Sequence, residues 1–467
     1  MSQPISLLPG LPAEFSRRLA SPPAPRPQGA ARPTFALYSL GCKVNAADSH
    51  QIARMLVAQG FRRVEFRECA DLYVIDTCTV TAEANRKSRK AASRARRNNP
   101  AAVVAVTGCA ATKDAAQFEH AAPGALVLSN ARKFELPDLA LERLQSQGEW
   151  AKNYDALRAQ TGSEPVPMPS YVRAVLKIQD GCDHKCSYCI IPRVRGASVI
   201  KSKSQLLREA RELLMEGARE VVVTGVSMGD FSMGANRVSG SKNAALSELL
   251  RSVALLPEAL RVRTSSLDPA DVDEEWLQVV AHSEGICPHI HLALQSGSKS
   301  VLARMRRRYT PELYLKWATL WREINPDAGL TTDVIVGFPG ETESEWQETL
   351  ALCRAARFSA IHVFPYSPRE GTFAADHLKE LGGLVNPEVQ KRRVAELLAL
   401  AEELSAGFAA RFFNREVEIL VESLHGDRVE GLLPNYLRAR VKAPAARIGD
   451  LLRFTPTAWN DGMLVEM

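Results

Sequence analysis

The chain has 467 residues, 46% of them hydrophobic and 24% charged, with a formal net charge of +6 and a pI near 8.8. That length exceeds what one core fills and predicts two to four domains, while the mild basicity permits a nucleic-acid partner without demanding one. With no run of about 18 apolar residues and no secretory pattern, a membrane span is not expected, and the nine cysteines of a cytoplasmic chain read as metal ligands, catalytic thiols or core residues rather than disulfides.

In chain order, residues 1–32 read as a disordered tail, with eight prolines in the first 33 positions. Apolar runs at 34–40, 71–77 and 102–108 are predicted strands, and 47–60 and 83–98 are predicted helices; together they make a small α/β domain over 33–147. A linker is expected over 148–167, inside a polar stretch whose end, 160–170, carries three prolines. Six further strands are predicted at 172–178, 220–225, 261–266, 289–294, 331–337 and 360–366, with helical text between them. This pattern makes 168–400 a partial (β/α)6 barrel of parallel strands, with a full eight-step barrel or an open doubly wound sheet as alternatives. An amphipathic helix is predicted over 387–412. From about 413 short strand-like runs punctuated by Gly426, Gly431 and Gly449 suggest a small β-barrel, so the last domain is placed at 401–467 with its leading helix.

The segment GCDHKCSYCIIP, 181–192, holds Cys182, Cys186 and Cys189 in a C-x3-C-x2-C spacing. Structural zinc sites are built from C-x2-C pairs and a fourth ligand, which here would have to be His184 or something remote. A four-iron cluster on three thiolates instead keeps one iron open, and S-adenosylmethionine can bind it through its amino and carboxylate groups. The loop follows the first barrel strand, where strand ends carry chemistry. Tyr188 is positioned to lie against an adenine or to pack the loop, and His184 reads as a solvated loop residue.

Cys42, Cys78 and Cys109 each follow one of the first three predicted strands. In a parallel sheet the carboxyl ends share one edge, so these thiols are expected to meet there as a second metal site; three separate small core residues are the bland alternative. Cys69, Cys287 and Cys353 show no such placement and read as packing residues.

GCKVN (41–45), DTCTVT (76–81), TGC (107–109) and GCDHKCSYCIIPRVRG (181–196) resemble the radical S-adenosylmethionine methylthiotransferases. The likeness continues through TGVSMGD (224–230), RTSSLDP (263–269), HLALQSGSKSVLARMRRRYT (291–310), TTDVIVGFPGET (331–342) and HVFPYSPREGT (362–372), and it includes a tail similar to the RNA-binding TRAM domain. The resemblance implies a radical-generating [4Fe-4S] cluster on Cys182, Cys186 and Cys189 and an auxiliary [4Fe-4S] cluster on Cys42, Cys78 and Cys109. It also puts Gly225, Ser266, Gln295 and Ile335 around the adenosyl ligand, with Tyr188 as a further contact. Implied partners are a tRNA anticodon arm, an electron donor and a sulfur donor, for a monomeric enzyme.

Within that family Gly-Cys-Lys-Val-Asn is similar to the branch acting on N6-threonylcarbamoyladenosine beside the anticodon. The isopentenyladenosine branch tends to Gly-Cys-Gln-Met-Asn, and the branch acting on an aspartate of a ribosomal protein to Gly-Cys-Pro-Lys-Asn. Ala46, Ala47 and Asp76 depart from the branch pattern. Adenine C2 carries a C–H that is neither acidic nor attached to a leaving group, so radical hydrogen removal suits it, and proximity can replace a free thiol as sulfur source.

For RNA contact, 86–99 holds seven basic residues and 304–309 four more, with Tyr436 and Phe454 as candidates for stacking or, alternatively, core residues; a solvated helix face is the alternative for the first run. If these residues grip phosphates, affinity is expected to fall by orders of magnitude between about 50 and 200 mM salt. A zinc-containing RNA-binding protein without catalysis is the reading from another class, and it leaves the second cysteine triad unexplained.

Overall fold

The computed structural model describes residues 33–79, 82–146, 172–232 and 242–466; the expected tail and linker lie outside them. The first body is a five-stranded parallel sheet of β1 (Thr34–Ser39), β2 (Arg62–Val64), β3 (Leu72–Thr77), β4 (Val103–Gly108) and β5 (Leu126–Val127), in the order β2-β1-β3-β4-β5. Its central strands, LYVIDT and VVAVTG, are buried along their whole length, as expected of strands covered on both faces. The helices Lys43–Ala58 and Ala82–Asn98 follow β1 and β3. Pairing of Ser39 with Asp76 and of Thr77 with Gly108 puts the ends of β1, β3 and β4 side by side.

The central body contains six βα steps. In the first sheet β6 (Arg173–Lys177), β9 (Glu220–Thr224) and β10 (Arg261–Thr264) run in the order β10-β9-β6; in the second, β11 (Ser266–Leu267), β12 (His289–Leu292), β13 (Gly329–Val336) and β14 (Ala360–Pro365) follow one another. Ser265 alone separates β10 from β11, so the two sheets continue one into the other, an open barrel running from β6 to β14. Val221, Val223, Val262, Ile290, Leu292 and Leu330 point outward into one apolar core with the surrounding helices. The alternate residues Arg173, Glu220, Arg263, His289 and Asp333 therefore face inward, as the two-residue period of a strand requires. Helices enter on side-chain caps, for example Ser202, Asp273 and Thr310, and a capping box between Thr342 and Glu345. Among the described residues no helix is long and apolar enough to cross a membrane.

The helix Pro387–Ala410 leads into a six-stranded mixed sheet of β15 (Val417–His425), β16 (Arg428–Leu432), β17 (Arg438–Lys442), β18 (Leu451–Phe454), β19 (Ala458–Asn460) and β20 (Met463–Val465), in the order β18-β15-β16-β17-β20-β19, over its own apolar core. Its segment Leu432–Tyr436 closes the end of the barrel at which the strands start. Arg261 donates to the Leu432 carbonyl at 2.7 Å, and Arg263 donates to Pro434 and Leu433 at 2.8 and 3.1 Å. Tyr436 stacks on His289, ring centroids 4.4 Å apart and 9° from parallel. The half-buried Tyr436 is therefore part of this closure, and Phe454 is buried in the terminal core, so both follow the packing alternative and not the stacking one.

Beneath Tyr436, Glu220 is fully buried among three guanidiniums, with Arg173, Arg261 and Arg263 at 2.8, 2.5 and 2.8 Å. Burial opposes the ionised carboxyl, yet those three charges hold it well below the ordinary carboxylate range.

Candidate functional site

At the opposite end of the barrel, where the strands finish, the two cysteine triads face each other. Cys42 precedes the helix Lys43–Ala58, Cys78 directly follows β3, and Cys109 follows β4 and begins the short helix Cys109–Lys113. Gly41 lets the first two approach: its φ is +114°, and a Cβ there would lie 3.0 Å from the Cys78 sulfur. Cys109 packs with Ile190 and Val194, the residues just after Cys189. Burial chiefly raises the Cys189 thiol, and Cys109 is close enough to add to the rise.

The second triad sits in a loop pinched by the two-stranded pairing of β7 (Gln179–Asp180) with β8 (Val199–Ile200). Gly181 makes the pinch possible, since at φ +72° a Cβ would lie 1.9 Å from the Ala197 carbonyl oxygen. Cys182 N–H donates to the Gly196 carbonyl at 3.0 Å, and Ser187 ties the loop to Met305 and Arg304 at 3.0 and 2.8 Å. Burial pushes the Cys182 thiol up to about 12 and Cys189 to about 11, and it raises Cys109 as well, so loading metal on these sulfurs releases protons.

The donor sets fit iron–sulfur clusters better than a single tetrahedral ion. Zinc–sulfur bonds of about 2.3 Å bring zinc thiolates to within about 4 Å of one another. Among the described residues, the only three potential ligands that come within 4.8 Å of one another are His291, Asp333 and His362, so neither cysteine triad is that tight. In a four-iron cluster each thiolate bonds a different iron, and wider spacing follows.

A guanidinium also attends each triad. Arg307 Nη1 donates to Cys186 Sγ at 3.2 Å and Nη2 to Asp268 at 2.7 Å. Arg195 lies beside Cys42 and Cys109. The Nε of both arginines is buried with no hydrogen-bond partner, a state that an anionic cluster relieves.

Sequence reasoning gave these two arginines no such role. Arg195 stands in the quoted PRVRG, and its Nη2 donates to Asn45 Oδ1 at 2.5 Å while Nη1 reaches Asp180 at 2.7 Å and Asp48 at 3.2 Å. Asn45 in turn donates to the Leu40 and Thr77 carbonyls at 2.9 and 3.0 Å and to Asp76 at 3.1 Å, clamping the loops that carry Cys42 and Cys78. Asp76 is fully enclosed, and burial pushes it up to about 7.

In the basic run at 304–309 every arginine has a partner within the chain, with Arg306 and Arg308 exposed. Arg304 is bidentate on Glu345 at 2.9 Å, Arg308 pairs with Asp271 at 2.8 Å, and Arg306 lies over the Phe373 ring at 3.7 Å. The run at 86–99 divides. Arg96 donates to three carbonyls and Arg94 covers Tyr38 and Phe66, whereas Arg86, Lys87, Arg89 and Lys90 are exposed. His184 is not simply solvated, because its Nε2 lies 3.2 Å from Ser227 Oγ.

All the residues singled out for the adenosyl ligand fall at this mouth. Gly225 follows β9 and packs on Gln179, which accepts from Ser227 N–H at 2.8 Å. Ser266 is paired with His291 and exposed. Gln295 adopts φ +64°, unusual for a residue with a Cβ, and is held there by exchange with the backbones of Asp333 and Ile335 at 2.8 and 2.9 Å. Tyr188 and Ile335 flank the same small apolar cluster. Cys69 is half-buried beside Asp71, and Cys287 and Cys353 are buried packing residues.

Lys43 crosses from the first body into the barrel, its Nζ 3.2 Å from Ser265 Oγ. Burial, with Arg173 and Arg263 nearby, lowers its amine to about 8.

Comparison with known proteins places this architecture. Residues 176–353 match the Radical SAM superfamily, and residues 34–129 match a family described as uncharacterised, UPF0004. A Bacillus subtilis protein named threonylcarbamoyladenosine tRNA methylthiotransferase MtaB is 33% identical, over 93% of this chain and 97% of its own. An Acidothermus cellulolyticus protein named tRNA-2-methylthio-N(6)-dimethylallyladenosine synthase is also 33% identical, over 94% of this chain and 88% of its own. The solved radical S-adenosylmethionine methyltransferase TsrM of Kitasatospora setae, with cobalamin and a [4Fe-4S] cluster bound, has a similar fold: TM-score 0.52, 15% identity, 74% of this chain and 77% of that one.

Proposed function

Because the chain belongs to the radical S-adenosylmethionine methylthiotransferases that act on tRNA, we propose that its substrate is N6-threonylcarbamoyladenosine at position 37, converted to the 2-methylthio derivative. The observation that carries this reading is the pair of cysteine triads facing each other across the barrel mouth, with Lys43 of the Lys-Val-Asn signature, next to Cys42, reaching Ser265 in the barrel. The two [4Fe-4S] clusters and S-adenosylmethionine supply, when bound, the electron, the hydrogen-abstracting radical and the sulfur and methyl groups.

The residues of the chain position these groups. In this reading Cys182, Cys186 and Cys189 hold the cluster that binds S-adenosylmethionine, and Cys42, Cys78 and Cys109 hold the sulfur-carrying cluster. Arg307 and Arg195 stabilise the negative charge of each set. Asn45 fixes the loops of Cys42 and Cys78 and, through Arg195, joins them to the barrel, which keeps the two centres in register. Gly225, Ser266, Gln295, Ile335 and Tyr188 line the mouth where the adenosyl group would sit. The exposed face of the helix Ala82–Asn98 offers Arg86, Lys87, Arg89 and Lys90 to the phosphates of the anticodon arm.

The test is nucleoside mass spectrometry of tRNA from a strain lacking this protein. Loss of 2-methylthio-N6-threonylcarbamoyladenosine is expected. Retention of that nucleoside with loss of 2-methylthio-isopentenyladenosine would move the enzyme to the other tRNA branch.

A further inference from the structure

We infer that Lys43 reads the carboxylate of the threonyl group on the substrate adenine, and so sets which modified adenosine the enzyme accepts. The inference rests on the threonylcarbamoyladenosine reading above and adds the residue that enforces it.

Lys43 directly follows Cys42, yet its ammonium lies in the barrel and not in the first body. Among the described residues the Ser265 hydroxyl is its sole hydrogen-bond partner, and no carboxylate is within ion-pair distance. The other interior charges are matched. Arg173, Arg261 and Arg263 share Glu220, Arg173 also takes Glu422 at 2.9 Å, and Asp333 lies 3.2 Å from His291. Arg173, Arg261 and Arg263 each have a carboxylate within ion-pair distance and Lys43 has none, Asp333 and Glu220 acting on it only from farther off. Enclosing an unpaired charge is costly, and a ligand anion that completes the pair removes that cost.

Beside Lys43 lies a polar cluster. His291 is buried, its Nδ1 lies 2.9 Å from Thr331 Oγ1, and its Nε2 lies 3.2 Å from an Asp333 carboxylate oxygen. Asp333 and His362 adjoin it, the three ligand atoms lying within 4.8 Å of one another. That spacing suits a cation in isolation, but the positive charge of Lys43 bears on both Asp333 and His362 and opposes one.

The geometry of adenine connects this pocket with the reaction. C2, the carbon that receives sulfur, and C6, which carries the substituent, flank the same ring nitrogen. A base presenting C2 to the cluster on Cys42 therefore carries its N6 group only one ring nitrogen away from the reacting carbon, and the inference places that group within reach of the long side chain beside Cys42. A threonylcarbamoyl group ends in a carboxylate and a hydroxyl beside ureido N–H groups, matching an ammonium, an imidazole nitrogen and a carboxylate. An isopentenyl group has neither charge nor hydrogen-bonding atoms and would leave Lys43 enclosed and unpaired, so the site discriminates by repulsion as well as attraction.

The test uses reconstituted wild-type enzyme and anticodon stem-loops carrying either N6-threonylcarbamoyladenosine or the analogue whose carboxylate is a carboxamide, with affinity read by fluorescence anisotropy and KM by product formation. The wild type should bind the amide about ten- to a hundredfold more weakly, as loss of a charge-assisted contact implies. Lys43→Gln should bind both stem-loops equally, at the amide level. Equal wild-type affinity for acid and amide overturns the inference, as does a Lys43→Gln enzyme that still separates them. The wild-type comparison needs no variant, so it decides the matter even if Lys43→Gln fails to load iron. If the wild type instead converts an isopentenyladenosine stem-loop and leaves the threonylcarbamoyl one untouched, the substrate assignment itself has failed. A wild type active on the threonylcarbamoyl stem-loop but indifferent to its carboxylate loses only the role of Lys43.

Discussion

Arg307 shows how much a site can depend on a residue whose neighbours in sequence suggest another role. It stands in a run of four arginines that reads as a nucleic-acid contact, yet each of the four has a partner within the chain, Arg306 and Arg308 at the surface, and Arg307 alone reaches a sulfur of the triad. A charge run carries no information about its partners, because those partners, Asp268, Asp271, Glu345 and Phe373, come from elsewhere in the chain. The six triad cysteines are legible for the opposite reason: strand ends and a short spacing bring them together with little help from distant side chains. Replacing Arg307 with Ala should reduce S-adenosylmethionine cleavage roughly tenfold or more, since a charge-assisted contact to the triad and the nearer of the two arginine partners of Asp268 are lost. 5′-Deoxyadenosine formation measures it. Arg307→Lys should recover part of the rate, and a fully active Ala variant would remove Arg307 from the site.

At the scale of elements, parallel strands place chemistry at their ends, and here the two ends of one barrel do different work. The finishing ends carry the loop of Cys182, Cys186 and Cys189 and face the triad at the ends of β1, β3 and β4; the starting ends are closed by Leu432–Tyr436 through Glu220 and its arginines. The βα order, six steps and the helix at 387–410 were readable from period and punctuation, with boundaries differing by a few residues. The plug was not readable. Tyr436 in a short loop looks like an exposed aromatic until the barrel end it covers is known. Glu220→Gln should destabilise the protein by about 3–5 kcal/mol near neutral pH, because three enclosed guanidiniums lose their shared carboxylate. The wild-type carboxyl titrates well below the ordinary value of 4.5, so its contribution is present above that pH and is lost as pH falls below it. Urea midpoints of the two proteins should therefore differ at pH 7 and converge in acid. A constant gap would show that Glu220 acts by packing and not by charge.

Across the whole molecule, the first sheet and the barrel are joined by a buried charge network close to both triads. Asp48 of the helix Lys43–Ala58 contacts Lys133, Lys177 and Arg195, and Asp180 lies 2.8 Å from Lys177 and 2.7 Å from Arg195. Arg54 adds an outer pair to Glu212 at 2.8 Å and Glu216 at 2.7 Å. Such a network contributes orientation more than net stability, since desolvation offsets most of the attraction. Orientation is what a transfer between two inorganic centres needs. No sequence pattern announced this joint: its members are scattered from residue 48 to residue 195, and each alone reads as a surface charge.

The most direct test of two separate centres is the iron and acid-labile sulfide content of anaerobically reconstituted protein, for the wild type and for variants with either triad changed to alanine. The expected result is about eight irons per chain in the wild type and about four in each variant, with S-adenosylmethionine cleavage surviving only where Cys182, Cys186 and Cys189 remain. Stoichiometric zinc in place of iron, or a single triad whose loss removes all the iron, would contradict it.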